Sequence, residues 1–198
     1  KHSSNLVNIQ RQSDWVIFLW GTPGHKTDEI GRRGVADELA AGLAQGGSLL
    51  PGLKNLEGFF AVIAWNEKEK HLLFATDPIG MTKVYYGENQ GRIVISSHAN
   101  LVARRLADFS VSSEGLSLLF SLKGIPAPYT VFRNVSVLKP AEIVAITRSG
   151  RHSEGYWRIP DQVTPFQGSL ADAEDRLMQL LKDTPHRIVA TNCNTLRV

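Results

Sequence analysis

Two neighbouring stretches decide the fold of this chain: Gly58-Phe-Phe-Ala-Val-Ile-Ala-Trp65 and His71-Leu-Leu-Phe-Ala-Thr76. Both are rich in aromatic, β-branched and other apolar residues, which is typical of buried strands. The segment between them, Asn66-Glu-Lys-Glu-Lys70, is short and mostly charged. Two apolar runs joined by a short polar segment predict a β-hairpin, so we expect antiparallel pairing at the centre of the fold.

Further strands are predicted on both sides of this hairpin. Towards the N-terminus, the continuous apolar run Trp15–Trp20 predicts a buried strand that ends in a loop at 21–24. The polar residues 1–12 show no periodicity and are expected to be a flexible lead. Towards the C-terminus, alternating and β-branched segments predict two more hairpins, within 83–95 and 142–157.

Helices are predicted in blocks, at about 27–46, 98–107, 113–122 and 169–182. Thr27, Ser112 or Ser113, and Ser169 with Asp172 stand where N-caps are needed. Because the strands form hairpins and the helices do not alternate with them, the sequence predicts an α+β domain with layered antiparallel sheets. A doubly wound parallel sheet is the less favoured alternative.

Length and charge limit the classes of function. The 198 residues are 42% hydrophobic, which suffices for one compact domain with a sizeable core. The 22 basic and 19 acidic residues leave a net charge of only +3, and the basic residues are scattered along the chain. Nucleic-acid binding needs basic residues gathered on one face, so we expect no nucleic-acid partner.

Membrane, disulfide and metal chemistry are not indicated. No apolar run approaches the roughly 20 residues that span a bilayer, so we expect no membrane association. The single cysteine, Cys193, cannot form an intramolecular disulfide, which favours a cytoplasmic location. The six histidines are widely separated, so no metal site or cofactor is predicted.

Five short segments between residues 56 and 157 are similar to segments that occur in the same order in a known family of domains. They are Leu56–Trp65, Leu72–Gly80 with Lys83–Tyr86, Ile95–Leu101, Gly124–Phe132 and Gly155–Trp157. The second is similar to the segment "ARDPLGxKPLYY" of the class II glutamine amidotransferase domain, which forms the amino-terminal half of asparagine synthetases. The whole set resembles that domain. The rings of Tyr85, Tyr86 and Trp157 are expected to pack in a core.

The resemblance implies a fold and a chemistry. The fold would be the αββα sandwich of N-terminal-nucleophile hydrolases, with its first strands missing or divergent. Active members use an amino-terminal cysteine to attack the side-chain amide of glutamine, while the Asn side chain and Gly backbone of an "NGE" string stabilise the oxyanion. The sequence given begins with Lys1, so we expect no catalytic residue in it, and the isolated Cys193 is not expected to take that role.

The resemblance also implies a degenerate ligand-binding loop. The end of the first predicted strand reads Trp20-Gly21-Thr22 where the family has "NGE". Gly21 would keep the backbone donor, whereas Trp20 would replace the amide and Thr22 the carboxylate. Thr27-Asp28-Glu29 is a faint match to the family string "SDTE".

The sequence and the resemblance together predict two domains and leave two alternative functions open. Residues 13–160 would form the amidotransferase-like domain, and 161–198 a helix and divergent tail at the start of a linker to a synthetase domain. One function is a module without glutaminase activity that binds a synthetase partner, a second copy or a small amide-bearing ligand. The alternative is a fragment of an active, glutamine-hydrolysing amide ligase.

Overall fold

The computed structural model describes residues 7–25 and 32–192. Its strands are β1 (Val7–Gln12), β2 (Trp15–His25), β3 (Leu56–Asn66), β4 (His71–Thr76), β5 (Tyr85–Asn89), β6 (Arg92–Ser96), β7 (Ser136–Val137), β8 (Glu142–Thr147) and β9 (Gly150–Gly155). Its helices are α1 (Arg32–Gly46), α2 (Leu50–Lys54), α3 (Ala99–Leu106), α4 (Ser113–Leu122) and α5 (Leu170–Asn192).

Two antiparallel sheets form the centre of the molecule. The large sheet has six strands in the order β1-β2-β3-β4-β8-β9, and the small sheet has three in the order β6-β5-β7. The hairpin predicted from 58–65 and 71–76 is β3–β4, with Ile63 opposite Phe74 and Val62 opposite Ala75. Sequence reasoning was therefore right about the antiparallel sheets and about the hairpin at their centre.

Alternation of side chains along the strands separates two cores on either side of the large sheet. Ile17 and Leu19 of β2 face α1 and α2, where they pack with Leu39 and Leu53. On the opposite face, Phe74 of β4 packs with Val84, Leu138 and Val144 against the small sheet. Helix α3 covers the far side of the small sheet through Val102 and Leu106. The layers therefore run helix, sheet, sheet, helix.

Two expectations about individual elements were wrong, and two elements were missed. Residues Val7–Gln12 are not a flexible lead: they form β1, which pairs with β2 from Val7 opposite Trp20 to Gln12 opposite Trp15. The loop expected at 21–24 is part of β2, because β3 runs far enough to pair with it as far as His25. The short helix α2 and the two-residue strand β7 were not predicted.

The helix ends show which capping signals were informative. The hydroxyl of Ser112 accepts a hydrogen bond from the Gly115 amide at 3.0 Å, as a helix N-cap should. Ser169 and Asp172 form the predicted capping box, in which each side chain accepts from the other's backbone amide. Helix α5 extends to Asn192, beyond the predicted end at 182. Thr27 lies outside the described residues.

The core between the sheets provides a first test. Phe74 is fully buried, and its ring meets that of Tyr86 edge to face at 5.1 Å between centroids. Phe74→Ala removes a fully buried ring and leaves a cavity, so we expect the free energy of unfolding to fall by about 3–5 kcal/mol. Phe120→Ala, at a ring that is 80% exposed, should change it by less than about 0.5 kcal/mol. Urea unfolding of both variants measures the difference.

Candidate functional site

The predicted loop Trp20-Gly21-Thr22 lies inside the paired part of the large sheet. Trp20 stands opposite Ala61, Gly21 opposite Phe60 and Thr22 opposite Phe59. The pairing then continues for three more residues, to His25 opposite Leu56. The backbone of this segment is therefore held in a β-ladder, where the sequence had suggested an irregular loop.

Two glycines permit the close approach of β2 and β3 at this point. Gly21 has φ +101° and Gly58 has φ +89°, which is the left-handed region that favours glycine. A Cβ atom at Gly21 would collide with the backbone carbonyl of Phe59, and one at Gly58 with the carbonyl oxygen of Thr22. Each glycine therefore makes room for the main chain of the opposite strand.

Neither side chain of the segment supplies the amide or the carboxylate that the resemblance would require at positions 20 and 22. The indole of Trp20 is half-buried and packs against the apolar cluster between the sheets, which includes Ala61 and Phe74. Thr22 is also half-buried and carries no charge. The segment thus presents an apolar ring to the space between the sheets.

A buried carboxylate fixes the turn that follows β4. Asp77 is fully buried. Its Oδ1 accepts hydrogen bonds from the amides of Ile79 at 3.2 Å and Met81 at 3.0 Å, and its Oδ2 accepts from the amide of Thr82 at 2.8 Å. Three hydrogen bonds to one side chain hold the loop 77–82 in one conformation.

Tyr156 anchors the end of the domain to the same turn. Its hydroxyl donates to the carbonyl oxygen of Thr76 at 2.8 Å, and its amide donates to the carbonyl oxygen of Ala141 at 2.8 Å. Burial raises the pKa of the Tyr156 phenol above its ordinary value, and the charge of Asp77 raises it further. The phenol therefore stays neutral and donates at physiological pH.

These segments surround a cleft of about 570 Å³, which we call the aromatic cleft. Phe59, Ile79, Tyr156 and Trp157 provide ring and aliphatic surfaces, and Lys54 and Glu57 provide the charged groups. Phe59 is paired with Thr22, so the cleft adjoins the predicted loop. Trp157 was expected in a core, but it is 44% exposed, because Tyr156 takes the buried position beside it.

The sequence missed most of this cleft. The apolar pattern of β3 predicted that Phe59 would be a strand residue, and nothing in it indicated that its ring would remain 46% exposed. The segment Leu72–Gly80 was part of the resemblance, but the position of its residues Pro78 and Ile79 beside Trp157 depends on long-range pairing. Lys1, Cys193 and the string Thr27-Asp28-Glu29 lie outside the described residues, so their predicted roles stay predictions.

Metal chemistry has no cluster to support it in the described parts of the chain. Within 7–25 and 32–192, no group of three or more His, Cys, Asp or Glu side chains is arranged to hold an ion. No helix in these ranges combines the length and the apolar character needed to cross a bilayer.

Comparison with known protein families decides the classification. The profile described as "Glutamine amidotransferase domain" matches residues 39–157, which is more than half of the 198 residues. This chain belongs to that family. The match begins in α1 and ends at Trp157 in the aromatic cleft. Family membership and the four observed layers together confirm the predicted α+β sandwich of N-terminal-nucleophile-hydrolase type.

Relatives of this amidotransferase domain include two proteins of Bacillus subtilis strain 168. "Asparagine synthetase [glutamine-hydrolyzing] 3" is 26% identical over 142 residues, which cover 66% of this chain and 23% of the relative. "Asparagine synthetase [glutamine-hydrolyzing] 1" is 26% identical over 95 residues, which cover 48% of this chain and 15% of the relative. The chain thus spans less than a quarter of either relative.

Among solved structures, the domain is similar to a glutamine phosphoribosylpyrophosphate amidotransferase from B. subtilis, complexed with ADP and GMP. That similarity has a TM-score of 0.45 and 14% identity. It covers 78% of this chain and 32% of the other.

The contact between β2 and β3 provides a second test. In Gly58→Ala, the new methyl group meets the Thr22 carbonyl, and the backbone keeps a φ that alanine adopts poorly. We expect a loss of about 3 kcal/mol or more in the free energy of unfolding, because strain alone costs about 1–3 kcal/mol. Gly91→Ala is the matched control: its φ is +73°, but open space surrounds the new Cβ. Equal losses in the two variants would show that the contact contributes nothing.

The raised pKa of Tyr156 provides a pH-dependent test. In the unfolded chain the phenol ionises near its ordinary value of 10.0, whereas the folded chain keeps it neutral to higher pH. Its stabilising effect is therefore complete below about pH 10 and is lost as the pH rises towards the folded pKa.

We expect the urea midpoint of the wild type to fall as the pH rises above about 10, and that of Tyr156→Phe to fall less steeply. At pH 7 the variant should be about 1–3 kcal/mol less stable, because the Thr76 carbonyl loses its donor. Tyr129→Phe, at a ring that is 48% exposed, is the control for loss of a hydroxyl. Parallel pH profiles for Tyr156→Phe and the wild type would contradict the assignment.

Proposed function

We propose that this amidotransferase domain does not hydrolyse glutamine and that it serves as a structural or partner-binding module of an asparagine-synthetase-like protein in the cytoplasm. One observation carries the proposal: the segment Trp20-Gly21-Thr22 is an internal part of the β2–β3 ladder. An oxyanion hole needs donors aimed at the position of the developing charge. A ladder holds the backbone for pairing, and Trp20 adds an apolar ring where the family has an amide.

A partner-binding role is supported by helix α5. Leu170, Leu177, Leu180 and Leu181 recur at helical spacing, and each is between 45% and 77% exposed. Apolar side chains at positions i, i+7, i+10 and i+11 form one stripe along a helix. Such a stripe is the surface that a second helix covers, either from another copy of this chain or from a synthetase partner.

A small amide-bearing ligand remains part of the proposal. Thr22 is paired with Phe59, which lines the aromatic cleft, and this pairing relates the segment to the cleft. A ligand held there without an attacking thiol would be bound and not cleaved.

A second candidate function rests on the relatives. Both are named glutamine-hydrolysing asparagine synthetases, and this chain covers 23% and 15% of them. In this alternative, the chain is one part of an amide ligase whose remaining segments supply the nucleophile, the glutamine site and the synthetase domain.

Glutamate release tests the first candidate directly. The purified chain is incubated with glutamine, a heat-killed sample gives the background, and the B. subtilis asparagine synthetase 3 serves as positive control. We expect no glutamate above background, because the ladder at Gly21 leaves no preorganised oxyanion site. Glutamate release by the isolated chain would contradict the proposal. Turnover only in a longer protein that contains this chain would favour the second candidate.

Self-association tests the α5 surface. We expect the wild type to dimerise and Leu177→Lys with Leu181→Lys to be monomeric, because two charges would enter an apolar seam. Gln179→Lys, on the same helix but outside the stripe, should leave the dimer intact. Sedimentation equilibrium measures the mass of each variant, and circular dichroism checks that the helices persist. A wild type that stays monomeric at all concentrations would exclude the homodimer and leave the synthetase partner.

A further inference from the structure

We propose that strand β9 is an interaction surface, on which β9 of a second copy of this chain pairs antiparallel with its centre at Ser153. Strand β9 is an edge of the six-stranded sheet, and within residues 7–25 and 32–192 only β8 pairs with it. All six of its residues are exposed. An uncovered edge strand presents unpaired backbone groups to which another strand can be added. Pairing through β9 is independent of the stripe on α5 and of whether the domain hydrolyses glutamine.

The pairing of β9 with β8 determines which of its backbone groups point outwards. Directly after β9, the amide of Tyr156 donates to the carbonyl oxygen of Ala141, which precedes β8. Hydrogen-bonded residues alternate along an antiparallel pair, so the even-numbered residues of β9 bond to β8. The amides and carbonyl groups of Arg151, Ser153 and Gly155 therefore face away from the sheet, where a further strand would pair.

One register brings all of these outward groups opposite each other. If the two-fold axis of the dimer passes between the two Ser153 residues, Arg151 lies opposite Gly155 of the partner subunit. Every outward amide and carbonyl of β9 then has a partner. A centre at His152 or Glu154 would leave one outward residue of β9 outside the ladder. A contact of this kind uses the same surface on both subunits, so it closes as a dimer.

The same register brings opposite charges together. His152 lies opposite the partner's Glu154, in a non-hydrogen-bonded pair, where the side chains of an antiparallel ladder are closest. Neither side chain forms a hydrogen bond or an ion pair within the described parts of the chain. A carboxylate accepts a hydrogen bond from an imidazole, and the bond strengthens when the imidazole is charged. A centre at His152 or Glu154 would instead place two imidazoles or two carboxylates opposite each other.

The remaining charged residue of β9 leaves the edge open. The guanidinium carbon of Arg151 lies 5.9 Å from the centroid of the Tyr86 ring, so this side chain lies over its own domain. Its opposite number, Gly155 of the partner subunit, has no side chain to collide with it. The other edge of the sheet, β1, has Arg11 as its only charged residue. Self-pairing there would bring no opposite charges together, so these features favour β9 as the edge that a second copy covers.

Disulfide trapping tests the register. The Cα atoms of a hydrogen-bonded antiparallel pair are about 5.5 Å apart, which a disulfide can span. Ser153→Cys is made together with Cys193→Ser, because Cys193 is the only native cysteine. We expect this chain to form a disulfide-linked dimer under mild oxidation, measured on non-reducing gels. Ser149→Cys, which is also exposed but lies in the turn before β9, should cross-link at least about tenfold more slowly. Equal rates, or no dimer, would overturn the proposal.

A charge exchange tests the cross-strand pair. Adding His152→Asp to the Ser153→Cys chain would place two carboxylates opposite each other, so we expect cross-linking to slow by about tenfold. Adding Glu154→Lys as well restores opposite charges and should restore the rate. Circular dichroism of each variant confirms that the fold is retained. A double variant that cross-links no faster than His152→Asp alone would contradict the pairing of position 152 with position 154.

A last variant separates this surface from the stripe on α5. The β9 ladder is short, so we expect reversible pairing through it alone to have a Kd of about 1 mM or weaker. The chain with Leu177→Lys and Leu181→Lys would then be monomeric in sedimentation, but with Ser153→Cys it should still cross-link, because the disulfide traps a transient pair. Loss of the cross-link in that background would overturn β9 as a surface of its own. Neither result affects the glutamate-release test of the proposed function.

Discussion

The contact between the backbones of β2 and β3 is the constraint on which the rest of the molecule depends. Gly21 and Gly58 adopt positive φ and allow each strand to press its main chain against the other. This contact keeps the two strands in register from Trp15 to His25. Because the side-chain period of a strand is two, a slip of one residue would turn Ile17 and Leu19 away from the helices. Both cores therefore require this register.

Hydrogen bonds at the turn after β4 extend the same constraint across the sheet. The amide of Asp77 donates to the carbonyl oxygen of Phe60, and the carbonyl oxygen of Asp77 accepts from the amide of Ala141. The turn is thereby tied to β3 on one side and to the segment entering β8 on the other. Tyr156 adds a third tie through Ala141 and Thr76. The wall of the aromatic cleft formed by Ile79 and Tyr156 belongs to these cross-linked segments.

The sequence predicted the parts of this fold that depend on local pattern. The hairpin β3–β4 and helix α4 follow from apolar runs, turn residues and a Ser112 cap. Strand β1 was missed because Asn8, Gln10 and Gln12 make its pattern polar, and only pairing with β2 reveals it. The exposure of Phe59 and Trp157 was missed for a related reason. For Phe59, the difference between a core and a cleft is decided by residues far away in sequence, such as Tyr156.

The position of Gly21 bears on the proposal that this domain lacks glutaminase activity. In an oxyanion loop, a glycine at this position serves as a backbone donor. In this domain, the same glycine is required by the carbonyl of Phe59, which leaves no room for a Cβ. The packing of Trp20 and Thr22, on either side of this glycine, does not require an amide or a carboxylate side chain. Packing alone would therefore account for a glycine at position 21, so Gly21 is evidence for the fold and is not by itself evidence for or against catalysis.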